Sequence, residues 1–177
     1  MKKALLIASV LLIAVISTAC INNIAVQELN NKAAEYMEKG DYEAAVNRLQ
    51  ASIDLDSSMY ETYYNLGIAA TNAKKYDVAI DAINNGIKIK PDYANFYYSL
   101  GAAQYEYAES IVDSETENKE NKAENKAKAT ELKESAISNL EKYLELSPNA
   151  EDKDDVEELI ESCQKEETPE KQVVLEG

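Results

Sequence analysis

Histidine and tryptophan are absent from the 177 residues, and only two cysteines are present. Without histidine, the common nucleophile–histidine pairs cannot be assembled, and a metal site would need oxygen ligands alone. The acidic runs, such as Glu151-Asp152 and Asp154-Asp155, lack the alternating ligand-and-glycine spacing of a calcium loop. Only five glycines are present, and they form no phosphate-binding loop. We therefore predict a protein that is not an enzyme and that uses no metal or other cofactor.

Basic residues are also scarce, because 18 lysines and arginines stand against 33 acidic residues, for a net charge of −15. Nucleic-acid binding requires clustered lysine and arginine that neutralise phosphates. The composition therefore argues against a nucleic-acid partner. It is compatible with a protein that binds other proteins.

The chain does contain a repeat of 34 residues, since the pattern Tyr63-Tyr64…Leu66-Gly67 returns as Tyr97-Tyr98…Leu100-Gly101. A fixed period of this length is typical of helical pairs that bury their apolar faces only by stacking on their neighbours. Within residues 60–93, apolar residues at steps of three and four predict one helix on each side of the polar segment 72–75. Ser58 and Glu61 have the spacing of a capping box at the start of the first of these helices.

These residues resemble the tetratricopeptide repeat (TPR) family. Repeat 2, residues 60–93, matches at Tyr63, Leu66, Gly67, Tyr76, Ala79, Ile83, Gly86 and Pro91. Repeat 1, residues 26–59, matches at Leu29, Ala33, Tyr36, Gly40, Tyr42, Ala45, Leu49 and Ser52. Repeat 3, residues 94–148, matches at Tyr97, Leu100, Gly101, Ala136, Leu140, Tyr143 and Pro148, although Lys133 stands where a tyrosine is expected. The resemblance implies an all-α fold, an αα-superhelix or solenoid of three helix pairs closed by a capping helix.

Repeat 3 carries a charged insertion at about residues 108–130, because Ala79 and Ala136 are 57 residues apart instead of 34. Almost no apolar residue occurs from Asp113 to Thr130. Two alternatives remain open: both helices of the repeat extend as a polar hairpin, which we favour, or the middle is a mobile loop. Residues 152–165 place Val156, Leu159, Ile160 and Cys163 on one face, as expected for the capping helix, and residues 167–177 are predicted to be a flexible tail.

The N-terminus has the pattern of an export signal: Lys2-Lys3, the apolar stretch Ala4 to Ile16, and small residues before Cys20. It resembles a bacterial lipoprotein signal, which implies cleavage after residue 19 and a diacylglyceryl (palmitate-type) lipid on Cys20. An uncleaved membrane helix is the alternative, but the apolar stretch is short for one. Removing residues 1–19 takes away two lysines and no acid, which leaves 16 basic and 33 acidic residues and a net charge of −17.

With Cys20 lipidated, Cys163 has no disulfide partner and is predicted to be a buried apolar contact. Residues 20–25 would form a short tether, and the TPR domain would span residues 26–166. No aspartate follows Cys20, and by resemblance to Gram-negative lipoproteins this favours the periplasmic face of the outer membrane if the host has two membranes. The predicted location is thus the bacterial cell membrane, reached through an N-terminal lipid.

The resemblance also implies a binding site, because the first helix of each repeat lines the concave side of a TPR superhelix. The residues that map to this side are Gln27, Asn30, Ala34, Met37, Glu61, Tyr64, Asn65, Ile68, Thr71, Asn95, Tyr98, Ser99, Ala102 and Tyr105. Tyr64 and Tyr98 are equivalent and would form a ladder of ring faces and hydroxyls, unless they pack between repeats instead. No cation occupies the positions at which TPR domains clamp a chaperone's carboxylate, so a neutral or basic peptide or helix is expected.

The leading hypothesis is a membrane-anchored adaptor that binds an envelope protein or peptide in this groove. The alternative is a structural subunit of an envelope assembly (secretion, pilus or outer-membrane complex) that docks through the insertion or the convex face. A receptor for a small solute is a weak third hypothesis, because a single solenoid has no two-lobed cleft, and no small-molecule substrate is expected.

Overall fold

The structure is a computed structural model, and it describes residues 23–115 and 122–165. These residues form seven helices and no strand. The helices are α1 (23–38), α2 (Tyr42–Leu55), α3 (Tyr60–Asn72), α4 (Tyr76–Ile89), α5 (Ala94–Glu115), α6 (Lys122–Leu146) and α7 (Lys153–Gln164). The predicted all-α fold of the TPR type is confirmed.

The predicted signal (1–19), Cys20 and the tail 167–177 lie outside the described residues. Residues 23–25, expected in the tether, already belong to α1, so the helical domain begins earlier than residue 26. None of the helices in the described ranges combines the length and apolarity needed to cross a membrane. The chain divides into an N-terminal unit up to Leu100 and a C-terminal unit from Gly101.

Two turns in the N-terminal unit join the helices of repeats 1 and 2, and they have the same geometry 34 residues apart. Gly40 has φ 73° and Lys74 has φ 58°, so both residues adopt the left-handed conformation. In each turn, the residue after the left-handed one donates its backbone N–H to the carbonyl five residues earlier. Asp41 N–H donates to the Tyr36 carbonyl at 2.9 Å, and Lys75 N–H donates to the carbonyl of residue 70 at 2.8 Å. This is a helix C-cap that normally favours glycine.

The start of α3 differs from the prediction. Met59 occupies the N-cap position, and no side chain caps the helix. Ser58 instead donates its backbone N–H and its hydroxyl to Asp56 Oδ1, at 2.9 and 2.7 Å. The predicted capping box of Ser58 and Glu61 is therefore wrong, because Asp56 forms a local turn that engages the serine first.

Close packing in repeat 2 depends on two glycines. A Cβ atom on Gly67 would overlap the side chain of Ile83, and one on Gly86 would overlap the ring of Phe96. Phe96 has no exposed surface and heads the largest fully buried side chains. The small residues therefore allow α3 and the start of α5 to lie directly against α4.

Equivalent helices lie side by side in the N-terminal unit. Asn30 of α1 donates to the Thr62 hydroxyl of α3 at 3.1 Å, and the Tyr64 ring of α3 contacts the Phe96 ring of α5. An ion pair between Lys75 and Glu43 links the start of α4 to α2. First helices thus contact first helices, and second helices contact second helices, as expected for stacked repeats.

In the C-terminal unit, the two helices of repeat 3 continue into the insertion, as far as Glu115 and from Lys122. The helical alternative therefore holds over these residues, and residues 116–121 lie outside the described part. Lys133 Nζ pairs with Glu109 Oε1 at 2.7 Å, which gives the lysine a role at the position where a tyrosine was expected. A Cβ atom on Gly101 would lie 2.7 Å from Leu140 Cγ, so these helices also approach through a glycine.

Helix α7 matches the predicted capping helix and packs against α6. Its residues Val156 and Cys163 are buried, with 0% and 5% of their surface exposed. Tyr143 at the end of α6 donates its hydroxyl to Asp152 Oδ1 at 2.7 Å, which fixes the turn between the two helices.

Candidate functional site

We define the A-helix face as the predicted groove positions that belong to the N-terminal unit. They come from α1, α3 and residues 94–100 of α5. Its exposed members are Gln27, Ala34, Glu61, Asn95 and Tyr98, and its half-buried members are Asn30, Met37, Tyr64, Asn65, Ile68, Thr71 and Ser99. The remaining two predicted groove residues, Ala102 and Tyr105, lie in the C-terminal unit.

Tyr64 packs between the first helices of repeats 2 and 3. Its ring meets the Tyr93 and Phe96 rings edge to face, with centroids 5.5 and 5.8 Å apart. Burial raises the pKa of the Tyr64 hydroxyl, and side-chain hydrogen bonds with Ser99 and Asn95 counter part of that rise. The packing alternative therefore describes the Tyr64 ring.

Tyr98 has a different environment from Tyr64, although the two positions are equivalent in the repeat. Its side chain is 37% exposed, and it is the only aromatic residue among the exposed large hydrophobic residues of the described part. Tyr98 lies within four residues of Asn95 and Ser99 on the same helix, so it stands beside the polar group around the Tyr64 hydroxyl. The predicted ladder thus consists of one packed ring and one exposed ring.

Asn30 is held by a neighbouring helix. Its Nδ2 atom donates to Thr62 Oγ1 at 3.1 Å, and Thr62 is fully buried. Part of the hydrogen-bonding capacity of Asn30 is therefore used to join α1 and α3. Asn65 and Ile68, in contrast, are half-buried positions on α3 that line the same face.

Sequence reasoning missed the aromatic cluster behind this face. Tyr60, Tyr93 and Phe96 contact one another with ring centroids 5.3 to 6.3 Å apart. Lys90 Nζ lies 4.4 Å from the Tyr60 centroid and donates to the Tyr60 hydroxyl at 3.2 Å, a hydrogen bond that raises the pKa of Lys90. The available signal was the spacing of Tyr60 and Tyr64, which places both rings on one side of α3.

Tyr105 lies in a cluster of the C-terminal unit with Glu109, Lys133 and Cys163. Burial raises the pKa of the Tyr105 hydroxyl, and the negative charge of Glu109 adds to this effect while Lys133 opposes it. Burial likewise raises the pKa of the Cys163 thiol, so the thiol stays protonated and unreactive. The structure supports the prediction that Cys163 is an apolar contact.

Within the two described ranges, no group of three or more aspartate, glutamate or cysteine side chains is arranged to hold a metal ion. The A-helix face presents amides, hydroxyls, the Glu61 carboxylate and an exposed aromatic ring. Such groups bind extended backbone and apolar side chains, and they suit a peptide ligand.

A cleft of about 430 Å³ lies between α1 and α2, and none of its lining residues is a predicted groove position. Its lining residues are Ala25, Glu28, Leu29, Lys32, Tyr36 and Arg48. Arg48 is the only arginine in the chain. Sequence reasoning did not identify this cleft, because the two helices contribute its residues from separate segments.

Two segments of the chain match family models. Residues 33–70 match the model described as "TPR repeat", and residues 60–93 match the model described as "Tetratricopeptide repeat". Among curated proteins, "TPR repeat-containing protein MJ1428" of Methanocaldococcus jannaschii is 31% identical over 81 residues, which is 46% of this chain and 14% of that protein. "Small glutamine-rich tetratricopeptide repeat-containing protein 2" of Saccharomyces cerevisiae is 30% identical over 79 residues, 45% of this chain and 23% of that protein. The chain therefore spans less than a quarter of these relatives.

Solved TPR domains have the same fold. The first TPR of Spaghetti (RPAP3), bound to the HSP90 peptide SRMEEVD, has a TM-score of 0.60 at 20% identity and covers 79% of this chain and 94% of that domain. The second TPR domain of human RPAP3, in complex with the HSP70 peptide SGPTIEEVD, has a TM-score of 0.61 at 14% identity and 82% and 99% coverage. The Yersinia enterocolitica type III secretion chaperone SycD, in complex with a peptide of the translocator YopD, has a TM-score of 0.55 at 20% identity and 78% and 91% coverage.

Proposed function

We propose that this chain, which carries TPR repeats in an all-α TPR fold, is a non-catalytic adaptor anchored to the bacterial cell membrane through a lipid on Cys20. Its A-helix face binds a peptide or helix of another envelope protein. Solved domains of the same fold hold peptides, and this motivates the same kind of ligand for this chain. The anchor rests on the signal pattern before Cys20.

The observation that carries the binding proposal is the group formed by Tyr64, Asn95, Ser99 and Tyr98. The Tyr64 ring is packed against Tyr93 and Phe96, and Asn95 Nδ2 donates to the Tyr93 hydroxyl at 3.3 Å. Tyr98 offers an exposed ring on the same helix as Asn95 and Ser99. An aromatic ring beside oriented polar groups is a common arrangement of interface hot spots. Fixed side chains also lose little conformational entropy when a ligand binds.

Charge restricts the ligand of this chain. The peptides SRMEEVD and SGPTIEEVD that the two RPAP3 domains hold end in acidic residues. The A-helix face has no lysine or arginine to attract such residues, and Glu61 is exposed on it. A neutral or basic segment is therefore favoured over an acidic one.

The test is affinity capture with crosslinking from native membranes, with wild type, Tyr98→Ala and Asn95→Ala. Both positions are exposed, so the variants are expected to fold normally, whereas Tyr64→Ala would remove packing against Phe96. Val78→Ala, an exposed apolar residue on α4, is the matched control. We expect a partner that both site variants lose and the control keeps. A partner retained by both site variants would contradict binding at the A-helix face.

The second candidate function is that of a structural subunit of an envelope assembly, docked through the hairpin arms formed by the ends of α5 and α6. The arms are braced: Lys128 Nζ donates to the Tyr107 hydroxyl at 2.6 Å and lies 4.4 Å from the centroid of that ring. Deleting residues 113–126 removes the ends of both arms and keeps Tyr107 and Lys128 in the chain. Loss of the partner in the deletion variant, with binding kept by Tyr98→Ala, would favour this function.

A further inference from the structure

The structure points to a second binding site. We propose that the cleft between α1 and α2 binds the phosphate of an anionic phospholipid in the membrane that holds Cys20. The inference rests on the proposed lipid attachment at Cys20. Lys32 and Arg48 supply two cations, and Ala25, Leu29 and the Tyr36 ring supply apolar surface for the glycerol and upper acyl chain.

The two cations of the cleft have no ion-pair or hydrogen-bond partner among the described residues, although the chain contains 33 acidic residues. Several other cations are engaged: Lys75 pairs with an acid of α2, Lys133 pairs with one of α5, and Lys90 bonds a tyrosine. The cleft instead brings two cations without such a partner together beside apolar surface. It offers a phosphate two donors that would not have to abandon a partner.

The charge of the lining fits one phosphodiester. Glu28 also lines the cleft, so two cations and one carboxylate leave a local charge of +1. A lipid such as phosphatidylglycerol carries one negative charge on its phosphate, and its glycerol headgroup has hydroxyls that can donate to Glu28. A more highly charged phosphate would leave uncompensated negative charge beside the glutamate.

The cleft lies close to the proposed anchor along the chain. Residue 23 is already in α1, and three Cα–Cα steps of about 3.8 Å separate it from Cys20, so α1 starts within about 11 Å of the lipidated residue. Ile24 in its first turn is 66% exposed, the largest exposure among the exposed large hydrophobic residues of the described chain. Ile24 thus suits insertion among the headgroups, and Ala25 of the cleft follows it directly.

Lipid contact and peptide binding would use different side chains. The residues that line the cleft include none of those that form the A-helix face. A lipid in the cleft would orient the N-terminal unit on the membrane through α1 and α2. The acyl chains on Cys20 provide the attachment, and the cleft would select the orientation.

The test uses the full acylated protein, purified from membranes and reconstituted into vesicles of phosphatidylcholine with or without phosphatidylglycerol. The chain has no tryptophan, so Ile24→Trp, Tyr36→Trp and Val78→Trp each create a single fluorescent reporter. Quenching by a nitroxide on the lipid headgroup measures the proximity of the reporter to the membrane surface. Intact mass reports acylation of Cys20, and circular dichroism confirms that each variant is folded.

We expect the Ile24→Trp reporter to be quenched in both vesicles, and the Val78→Trp reporter to be quenched weakly in both. Quenching of the Tyr36→Trp reporter should rise at least about twofold with phosphatidylglycerol. One cation near an anionic surface raises the equilibrium constant for membrane contact about fivefold. Adding Lys32→Ala and Arg48→Ala should abolish this rise, whereas Lys39→Ala, which removes an exposed lysine outside the cleft, should preserve it.

Two outcomes overturn the inference, and they are distinguishable. If Cys20 carries no lipid and the Ile24→Trp reporter is not quenched, the proposed anchoring fails and the inference fails with it. If Cys20 is acylated and Ile24→Trp is quenched, but Tyr36→Trp responds equally to both vesicles, anchoring holds and only the lipid site is refuted. If Tyr36→Trp fails to fold, Glu28→Trp, at an exposed residue that also lines the cleft, carries the reporter instead, with the same expected rise and the same refuting outcome.

Discussion

Replacing Lys74 by glycine is expected to stabilise the protein. Lys74 ends α3 with φ 58°, the conformation that Gly40 adopts 34 residues earlier with φ 73°. The left-handed region costs a residue with a Cβ atom about 1–2 kcal/mol, whereas glycine adopts it freely. Glycine also gives the unfolded chain more freedom, which offsets about 0.5–1 kcal/mol of that gain. The net expectation is a stabilisation of about 1 kcal/mol.

The control for this prediction is Lys74→Ala. Alanine removes the same charge but keeps the Cβ atom, so it should leave the strain in place and bring no gain. The reverse change, Gly40→Ala, should destabilise by about 1 kcal/mol through backbone strain alone, because no atom lies within 4 Å of the position that its Cβ would occupy. The two turns therefore test one argument in opposite directions.

The assay is urea unfolding followed by circular dichroism, compared at an unchanged m-value. With m of about 1–2 kcal/mol per molar urea, the midpoint should rise by about 0.5–1 M for Lys74→Gly. If Lys74→Gly and Lys74→Ala unfold at the same urea concentration, backbone strain at residue 74 contributes nothing and the reasoning is refuted.

Three further predictions concern the packed interior. Gly86→Ala should destabilise by about 3 kcal/mol or more in the same assay, far above Gly40→Ala, because its Cβ would overlap the buried Phe96 ring. Ser52→Ala should stabilise by about 1 kcal/mol, because the buried Ser52 hydroxyl has no hydrogen-bond partner among the described residues. Burial raises the pKa of the Tyr64 hydroxyl, so the stability that the neutral hydroxyl contributes is fully present below pH 10 and is lost as the pH rises above 10. Tyr64→Phe should therefore reduce this loss of stability at alkaline pH in thermal unfolding scans.

Each of these predictions has a contrary outcome. A Gly86→Ala protein as stable as Gly40→Ala would mean that the Phe96 ring can move aside. A loss of stability in Ser52→Ala would show that the hydroxyl has a partner. An unchanged alkaline slope in Tyr64→Phe would assign the loss to other tyrosines, of which Tyr105 also has a raised pKa.

The sequence was sufficient to locate the helices of repeats 1 and 2, because apolar periodicity and breakers coincide there. Pro91 follows α4 by two residues, as its missing N–H predicts. The polar segment 72–75 predicts the turn at Lys74 correctly. It does not predict the left-handed backbone of Lys74, because glycine and not lysine is the residue that usually indicates this conformation. The extent of α5 and α6 stayed open for a related reason: polar residues without periodicity suit both a solvated helix and a loop.

The sequence predicts which positions form the A-helix face, but it does not predict the contacts that their side chains make. The repeat identified Tyr64 and Tyr98 as equivalent, yet one ring is packed and the other is exposed. The difference arises because Phe96 and Tyr93 occupy the space beside Tyr64. Likewise, the repeat pattern identifies Tyr97, but the fully buried ring belongs to its neighbour Phe96. Neighbouring residues point in different directions around a helix axis, so a shift of one residue decides which ring faces the core.

The packing of Phe96 on Gly86 bears on how the chain finds its own alignment during folding. In repeat proteins, a segment can pair one repeat too early or too late, because neighbouring repeats present similar surfaces. Here the equivalent residues differ in size: Thr62 corresponds to Phe96, and Ser52 corresponds to Gly86. A slip by one repeat would bring the phenylalanine ring against a serine instead of a glycine, where the space for it is missing. The unequal pairs therefore disfavour a pairing that is shifted by one repeat relative to the native one.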